Sequence, residues 1–171
     1  LKDQHEEFKK RIQNMRKDEM EAKETLTEMK KQLYHVNRRL KKSNIPGVPN
    51  FIWNKMEEAT ERNNRVFSAL EKQPLDMAEV QHALSEAKTT VEYVAEQTET
   101  LLDQAYLTEQ VIQYANRYRS QDPALAAKLS EAERLFRSYE YELALEQAAR
   151  AVEEVEPGAL KHIEEFQEAA N

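Results

Sequence analysis

The fold of this chain is decided by Val80–Ala115, whose sequence is VQHALSEAKTTVEYVAEQTETLLDQAYLTEQVIQYA. Its apolar and small residues recur in alternating steps of four and three, at Val80, Leu84, Ala87, Val91, Val94, Thr98, Leu101, Ala105, Thr108, Ile112 and Ala115. Such steps place side chains on one narrow stripe of an α-helix. A helix with a narrow apolar stripe is not stable alone, because its intrinsic propensity is small and the stripe must be covered. The pattern therefore predicts a long helix packed against other helices.

A second seam of the same kind runs through residues 1–42. Two interleaved series at seven-residue spacing form it, namely Leu1, Phe8, Met15, Ala22, Met29 and Val36, and Ile12, Leu26, Leu33 and Leu40. His5 and Glu19 interrupt the second series, so either a polar group lies at a helix interface there or the partner helix has not begun. At roughly 1.5 Å per residue, this helix is about 60 Å long.

Breaks in the pattern place the remaining elements. Two prolines around Gly47 end the first helix, since proline cannot continue the backbone hydrogen bonds. The apolar positions of the next helix are Trp53, Met56, Ala59, Val66, Phe67 and Leu70. Asp76 with Glu79 has the spacing of a capping box, and Asp122 before Pro123 is typical of a helix start.

The sequence predicts an all-α fold of elongated antiparallel helical bundles, similar to spectrin repeats, with long helices shared between bundles. The first domain is a helical hairpin at 1–75, with a helix at 1–42, a loop at 43–50 and a helix at 51–73. The second is a C-terminal bundle at 76–171, with helices at 77–119, 123–139, 141–155 and 158–169.

Composition excludes several classes of function. The chain of 171 residues has 2 Gly and no Cys, so neither a glycine-rich nucleotide cradle nor a thiol nucleophile or thiolate metal site is expected. Residues 1–42 hold 13 Lys/Arg against 8 Asp/Glu, whereas residues 43–171 hold 12 against 24. The basic residues of the first helix alternate with acids and lack interleaved aromatics, which argues against nucleic-acid binding.

No apolar run reaches the roughly 18 residues of a membrane span, so we expect a soluble fragment. The absence of cysteine suits a reducing compartment, and we expect the fragment to be cytoplasmic.

No constellation of residues indicates catalysis or metal binding. The four histidines are far apart in sequence, without the paired spacing of metal ligands. Neighbouring carboxylates such as Glu57 and Glu58 point about 100° apart on a helix and do not converge on one atom. We therefore expect no enzyme, no cofactor and no metal.

One polar cluster is predicted to face solvent. With Ile112 and Ala115 in the seam, Gln113, Asn116 and Arg117 share a helix face turned away from the core. Their amides and guanidinium suit the backbone or carboxylate groups of a partner. The flanking residues Tyr114, Tyr118 and Arg119 complete a candidate partner-binding patch, with tyrosine a common interface anchor. The alternative is an ordinary polar helix end.

This stretch carries a family resemblance. The sequence Gln-Tyr-Ala-Asn-Arg-Tyr-Arg at 113–119, the segments at 132–136 and 141–146, and Val-Glu-Pro-Gly-Ala-Leu-Lys at 155–161 resemble the C-terminal part of the EzrA family of septation ring formation regulators. The resemblance extends over the chain, with 113–119 its most specific block and the first 42 residues not diagnostic.

The resemblance implies the cytoplasmic rod of a membrane-anchored bacterial cell-division regulator. Such a protein binds FtsZ and other division-ring proteins, restrains FtsZ ring assembly away from midcell and localises to the septum. A glutamine, asparagine and arginine patch serves localisation in this family, and Gln113, Asn116 and Arg117 occupy its positions here. The family's N-terminal anchor is absent from this chain, so anchoring implies a longer parent protein.

A different class of function stays open at this point. The chain could be a purely structural spacer or scaffold, similar to spectrin, with no direct FtsZ contact in this fragment. In that case the polar cluster is inert and only the geometry of the helices matters.

Overall fold

The computed structural model describes residues 2–170 and confirms an all-α fold, with six helices and no strand in that range. The seam residue Leu1 lies outside the described residues. In chain order the helices are α1 (Lys2–Lys42), α2 (Asn50–Glu71), α3 (Met77–Arg119), α4 (Pro123–Arg137), α5 (Tyr141–Val155) and α6 (Ala159–Ala170).

The chain forms two compact units. Unit 1 comprises Leu1–Lys42 and Asn50–Gln97, and unit 2 comprises Ser43–Pro49 and Thr98–Asn171. The first part of α3 thus belongs to unit 1 and the rest to unit 2. The predicted division into a helical hairpin at 1–75 and a C-terminal bundle at 76–171 stays a prediction.

In unit 1, the second half of α1 packs against α2. The seam of α1 is buried from residue 22 onward, at Ala22, Leu26, Met29, Leu33, Val36 and Leu40. Upstream of Glu19 the seam residues Phe8, Ile12 and Met15 are exposed. The break in the pattern at Glu19 therefore marks the place where coverage of this stripe begins in the described part of the chain.

The buried stripe of α2 differs from the predicted one at its two largest side chains. Of the apolar positions named from the sequence, Trp53 and Phe67 are exposed. Ile52 and Asn63 are buried instead, together with the predicted Val66. Ala59 and Leu70 are also buried. The ammonium of Lys30 lies 5.4 Å from the exposed ring of Phe67.

Helix α2 runs antiparallel to the first part of α3. Near one end of the pair, the Lys72 ammonium contacts the Glu79 carboxylate at 2.6 Å. Further along, the Arg62 guanidinium donates to the Thr90 hydroxyl at 2.6 Å. The Glu79 carboxylate is paired with lysine, so the reciprocal half of the predicted capping box is replaced by an ion pair. The Asp76 half is confirmed, because its carboxylate accepts from the backbone N–H groups of Ala78 and Glu79 at 3.1 and 3.3 Å.

Unit 2 is built on one apolar core shared by α3, α4, α5 and α6. Its buried residues are Val111, Ala115, Leu125, Leu129, Ala132, Ala148, Ala151, Val152, Ala159 and Ile163. The predicted cap of α4 is confirmed, since the Asp122 carboxylate accepts from the Leu125 N–H at 3.1 Å and Pro123 is the first helical residue. Helix α6 is attached to α5 by the Glu153 carboxylate, which accepts from the N–H groups of Gly158 and Leu160, both at 2.9 Å.

The loop at 43–49 also belongs to unit 2. The hydroxyl of Tyr141, which is 2% exposed, donates to the Gly47 carbonyl at 2.5 Å and accepts from the Gly47 N–H at 3.3 Å. A Cβ at Gly47 would lie only 2.4 Å from the ring of Tyr139, so a larger residue there would displace this exposed side chain. The turn between α4 and α5 therefore holds this loop.

Candidate functional site

The candidate patch lies at the C-terminal end of α3, within unit 2. Gln113, Asn116 and Arg117 are exposed, and Ala115 is fully buried. The seam differs from the predicted one at a single step, since Val111 is fully buried and Ile112 is only half-buried. The polar cluster nevertheless stays on the solvent side, because Ala115 still faces the core.

The two tyrosines of the patch are bound within the chain. The hydroxyls of Tyr114 and Tyr118 both donate to the Glu156 carboxylate at the end of α5, the second at 2.5 Å. Hydrogen bonds from Tyr114 and then Tyr118 lower the pKa of Glu156, because they stabilise its ionised form. The same bonds raise the pKa of both tyrosines, since they favour the protonated phenol. The tyrosines therefore brace α3 against α5, and the hydrogen of each hydroxyl is donated within the chain.

Arg117 is oriented by its neighbour Tyr114. Its guanidinium lies 3.7 Å from the centre of the Tyr114 ring, and its Nε–H donates to the Tyr114 carbonyl at 3.1 Å. Stacking fixes the plane of the guanidinium. Neither Nη group of Arg117 has a hydrogen bond or ion pair to the described residues 2–170, so both can bind a ligand.

Arg119 has a structural role in the same region. It contacts the Glu133 carboxylate of α4 at 2.6 Å and donates to the Ser130 hydroxyl at 3.0 Å. It also donates to the Asn116 side-chain carbonyl at 3.3 Å. Arg119 thus ties α3 to α4 and holds the Asn116 amide. Gln113 has neither kind of contact among the described side chains.

Two grooves flank this end of α3, and Gln113 lines both. The groove between α3 and α4 has a volume of about 330 Å³ and is lined by Glu109, Gln110, Ile112, Gln113, Asn116, Glu133, Phe136 and Arg137. The groove between α3 and α6 has a volume of about 490 Å³ and includes Arg117 on one wall and His162 on the other. The exposed patch is thus a ridge between two concave surfaces.

Sequence reasoning missed the side chains that organise the patch. Glu156 and His162 come about 40 residues after the tyrosines, and no spacing rule joins residues that far apart on different helices. The nearest signal was Pro157-Gly158, which predicts that α5 ends beside Glu156. Arg119 was predicted as a partner-binding residue, but its contacts are within unit 2.

Other kinds of site find little support in the described part of the chain. No group of three or more histidine or acidic side chains is placed to hold a metal ion among residues 2–170. Within the same range, none of the helices combines the length and the apolar character needed to cross a bilayer.

Comparison with known proteins gives a consistent result. Residues 1–167 match the family model described as septation ring formation regulator, EzrA. The chain is 67% identical over 132 residues to the septation ring formation regulator EzrA of Oceanobacillus iheyensis, an alignment that covers 77% of this chain and 23% of that protein. It is 43% identical to the Bacillus pumilus protein of the same name, covering 93% of this chain and 28% of that protein.

A solved structure extends the likeness to three dimensions. The cytoplasmic domain of the bacterial cell division protein EzrA superposes on this fold with a TM-score of 0.70 at 39% identity, covering 95% of this chain and 31% of that one. The chain spans between about a quarter and a third of the length of these proteins. The shared name describes regulation of septation, and it names no chemical reaction.

Proposed function

This chain belongs to the EzrA family of septation ring formation regulators, and on that premise we propose that it acts in bacterial cell division by contacting other proteins. Its principal partner is FtsZ, with other division-ring proteins as further partners. Contact with FtsZ restrains ring assembly away from midcell and directs the protein to the septum.

A single observation carries the assignment of the contact surface. At the end of α3, Gln113 and the Nη groups of Arg117 are exposed, while the side chains around them are fixed by Glu156 and Glu133. The Arg117 guanidinium, which is held by the ring and the carbonyl of Tyr114, can therefore bind another molecule with little loss of side-chain entropy. Gln113, Asn116 and Arg117 are therefore the residues proposed to recognise the partner, with Tyr114, Tyr118 and Arg119 holding them in place.

We place this activity on the cytoplasmic face of the cell membrane, within a longer, membrane-anchored protein. The support is that the relatives are three to four times longer than this chain and that the matching solved structure is a cytoplasmic domain.

Septal localisation in living cells tests the proposal. We would fuse a fluorescent protein to a full-length family member that carries this chain, and replace Gln113, Asn116 and Arg117 by alanine. The proposal predicts loss of the septal signal at an unchanged protein level. The matched control replaces three exposed residues elsewhere on α3, Lys88, Glu92 and Glu96, and should localise normally.

The same experiment distinguishes the proposed contact with partner proteins from the alternative of a purely structural spacer. If the helices act only as a spacer, both triple variants localise to the septum. Septal localisation of the first variant at the level of the control would therefore reject the proposed role of the patch.

A further inference from the structure

The groove between α3 and α6 is lined by residues of the candidate patch and by further residues outside it. Its volume is about 490 Å³, and its lining residues are Gln110, Gln113, Tyr114, Arg117, His162 and Ile163. Three of them, Gln110, His162 and Ile163, lie outside the predicted patch. The surface available to a partner therefore extends from α3 across to α6.

The charge of this groove is opposite to that of its surroundings. Residues 43–171 hold 24 Asp/Glu against 12 Lys/Arg, but none of the six lining residues is acidic. Arg117 on α3 and His162 on α6 contribute the charged and chargeable groups. By contrast, the groove between α3 and α4 includes the carboxylates of Glu109 and Glu133.

Glu156 is an acidic side chain close to both Arg117 and His162. It is close enough to Arg117 and His162 for both to lower the pKa of its carboxyl group, after the larger effect of the tyrosine hydroxyls. Both of its oxygens already accept a hydrogen bond, one from Tyr114 and one from Tyr118. The Nη groups of Arg117 are thus left to face the groove without a hydrogen-bonded carboxylate among residues 2–170.

The neutral residues of the groove indicate the shape of its ligand. Gln110 and Gln113 are three residues apart on one helix face, so both carboxamides are presented to the same side. Each offers a donor and an acceptor, as an extended backbone requires. A helical ligand has its own backbone groups paired and would leave these amides unused. Ile163, which is 6% exposed, and the ring of Tyr114 supply apolar contact area.

We propose that this groove binds an extended peptide segment of a partner protein that carries a carboxylate side chain beside an apolar one. The carboxylate lies between Arg117 and His162, the apolar side chain rests on the ring of Tyr114 next to Ile163, and the peptide backbone pairs with Gln110 and Gln113. This inference rests on the proposed function, because it specifies what the patch recognises.

A peptide titration followed by NMR tests the groove directly. The probe is N-acetyl-Leu-Glu-Leu-amide, and the matched control peptide is N-acetyl-Leu-Gln-Leu-amide, which has the same shape without the charge. The acidic peptide should shift the backbone amide signals of residues 110–117 and 160–164. The neutral peptide should bind roughly tenfold more weakly, since hydrogen bonds to a charged group are the stronger ones.

Matched variants locate the charge recognition. Arg117→Gln and His162→Gln should each reduce the affinity for the acidic peptide by at least roughly threefold. Arg137→Gln removes a charge from the other groove and should leave the affinity unchanged. Equal binding of the two peptides, shifts confined to α4, or an unchanged affinity of His162→Gln would overturn the inference.

FtsZ binding by the same variants separates this inference from the function on which it rests. If FtsZ binds the wild-type chain and His162→Gln alike but not the Gln113, Asn116 and Arg117 triple variant, the inference fails and the proposed function stands. If the acidic peptide binds as expected while FtsZ does not bind, the proposed partner is wrong and the chemistry of the groove is supported.

Discussion

At the scale of single residues, the Glu156 carboxylate joins the two tyrosines of the candidate site. Its carboxylate accepts hydrogen bonds from Tyr114 and Tyr118, and these bonds lower its pKa below the ordinary value of 4.5. A carboxyl group whose pKa is lowered by folding stabilises the native state above the unfolded pKa, and that contribution is lost as the pH falls through the folded pKa.

We predict that the double variant Tyr114→Phe and Tyr118→Phe raises the pKa of Glu156 toward 4.5. The wild type should therefore lose its stability advantage over the variant as the solution is acidified below pH 4.5. A ¹³C NMR titration of the Glu156 carboxyl carbon measures the pKa, with Tyr106→Phe, an exposed tyrosine of the same helix, as control. An unchanged titration midpoint in the double variant would show that the two hydroxyls do not stabilise the ionised carboxylate.

A second prediction at this scale concerns Thr98, a buried seam residue whose hydroxyl has no hydrogen-bond partner within residues 2–170. Thr98→Val should raise the free energy of unfolding by about 1 kcal/mol, because burial of an unpaired hydroxyl costs about 1–3 kcal/mol. Thr90→Val is the matched control, since the Thr90 hydroxyl accepts from Arg62 and donates to the Glu86 carbonyl. The free energy of unfolding of Thr90→Val, measured by urea unfolding, should be about 0.5–1.5 kcal/mol lower than that of the wild type. A lower free energy of unfolding in both variants would contradict the predicted difference between Thr98 and Thr90.

The burial of individual residues could be predicted from the sequence only where the period was unambiguous. In α3 the steps of four and three left one choice, and the seam is buried as predicted except at Ile112. In α2 the apolar residues cover more than one stripe, and Trp53 and Phe67 lie outside the buried one. Packing against α1 and α3 selects the stripe with Ile52 and Asn63, and local pattern does not contain that information.

At the scale of elements, the loop at 43–49 is held by the turn between α4 and α5. We predict that Tyr141→Phe destabilises unit 2 by about 1–3 kcal/mol, because it leaves the N–H and the carbonyl of Gly47 without this partner. Tyr139→Phe is the control, since the Tyr139 side chain is exposed, and it should change stability by less than about 0.5 kcal/mol. Thermal unfolding followed by circular dichroism measures both. Equal melting temperatures for the two variants would mean that these bonds contribute nothing.

The ends of the elements were predictable where the cap is local in sequence. Asp76 and Asp122 accept from N–H groups two or three residues later, which a spacing rule detects. The contact between Gly47 and Tyr141 joins residues 94 apart, and the loop sequence alone gives no sign of it. Similarly, the hydrogen bond between Tyr114 and Glu156 depends on how α3 and α5 pack. The position of the patch could therefore be predicted from the sequence, whereas the contacts that hold its side chains in place could not.

At the scale of the whole molecule, α3 contributes to both compact units, and this leads to a measurable expectation that differs from the domain division at 75/76 predicted from the sequence. The first part of this helix belongs to unit 1 and is covered by α2, through contacts such as Arg62 with Thr90. We predict that residues 76–171 expressed alone keep slow amide exchange at Leu101–Arg119 but lose it at Val80–Val94, because removal of α1 and α2 exposes that seam. Hydrogen exchange with mass spectrometry measures this. Uniformly slow exchange along α3 would show that 76–171 is a complete domain.

The central claim is that an exposed and ordered polar cluster on a packed helical scaffold binds FtsZ. Equilibrium binding of purified FtsZ to the immobilised chain, compared with the variant in which Gln113, Asn116 and Arg117 are all alanine, tests it most directly. We predict that the variant binds at least roughly tenfold more weakly, a loss of about 1.4 kcal/mol, while its helicity and melting temperature match the wild type. Equal affinity of the two proteins for FtsZ, or no binding of FtsZ to the wild-type chain, would contradict the claim.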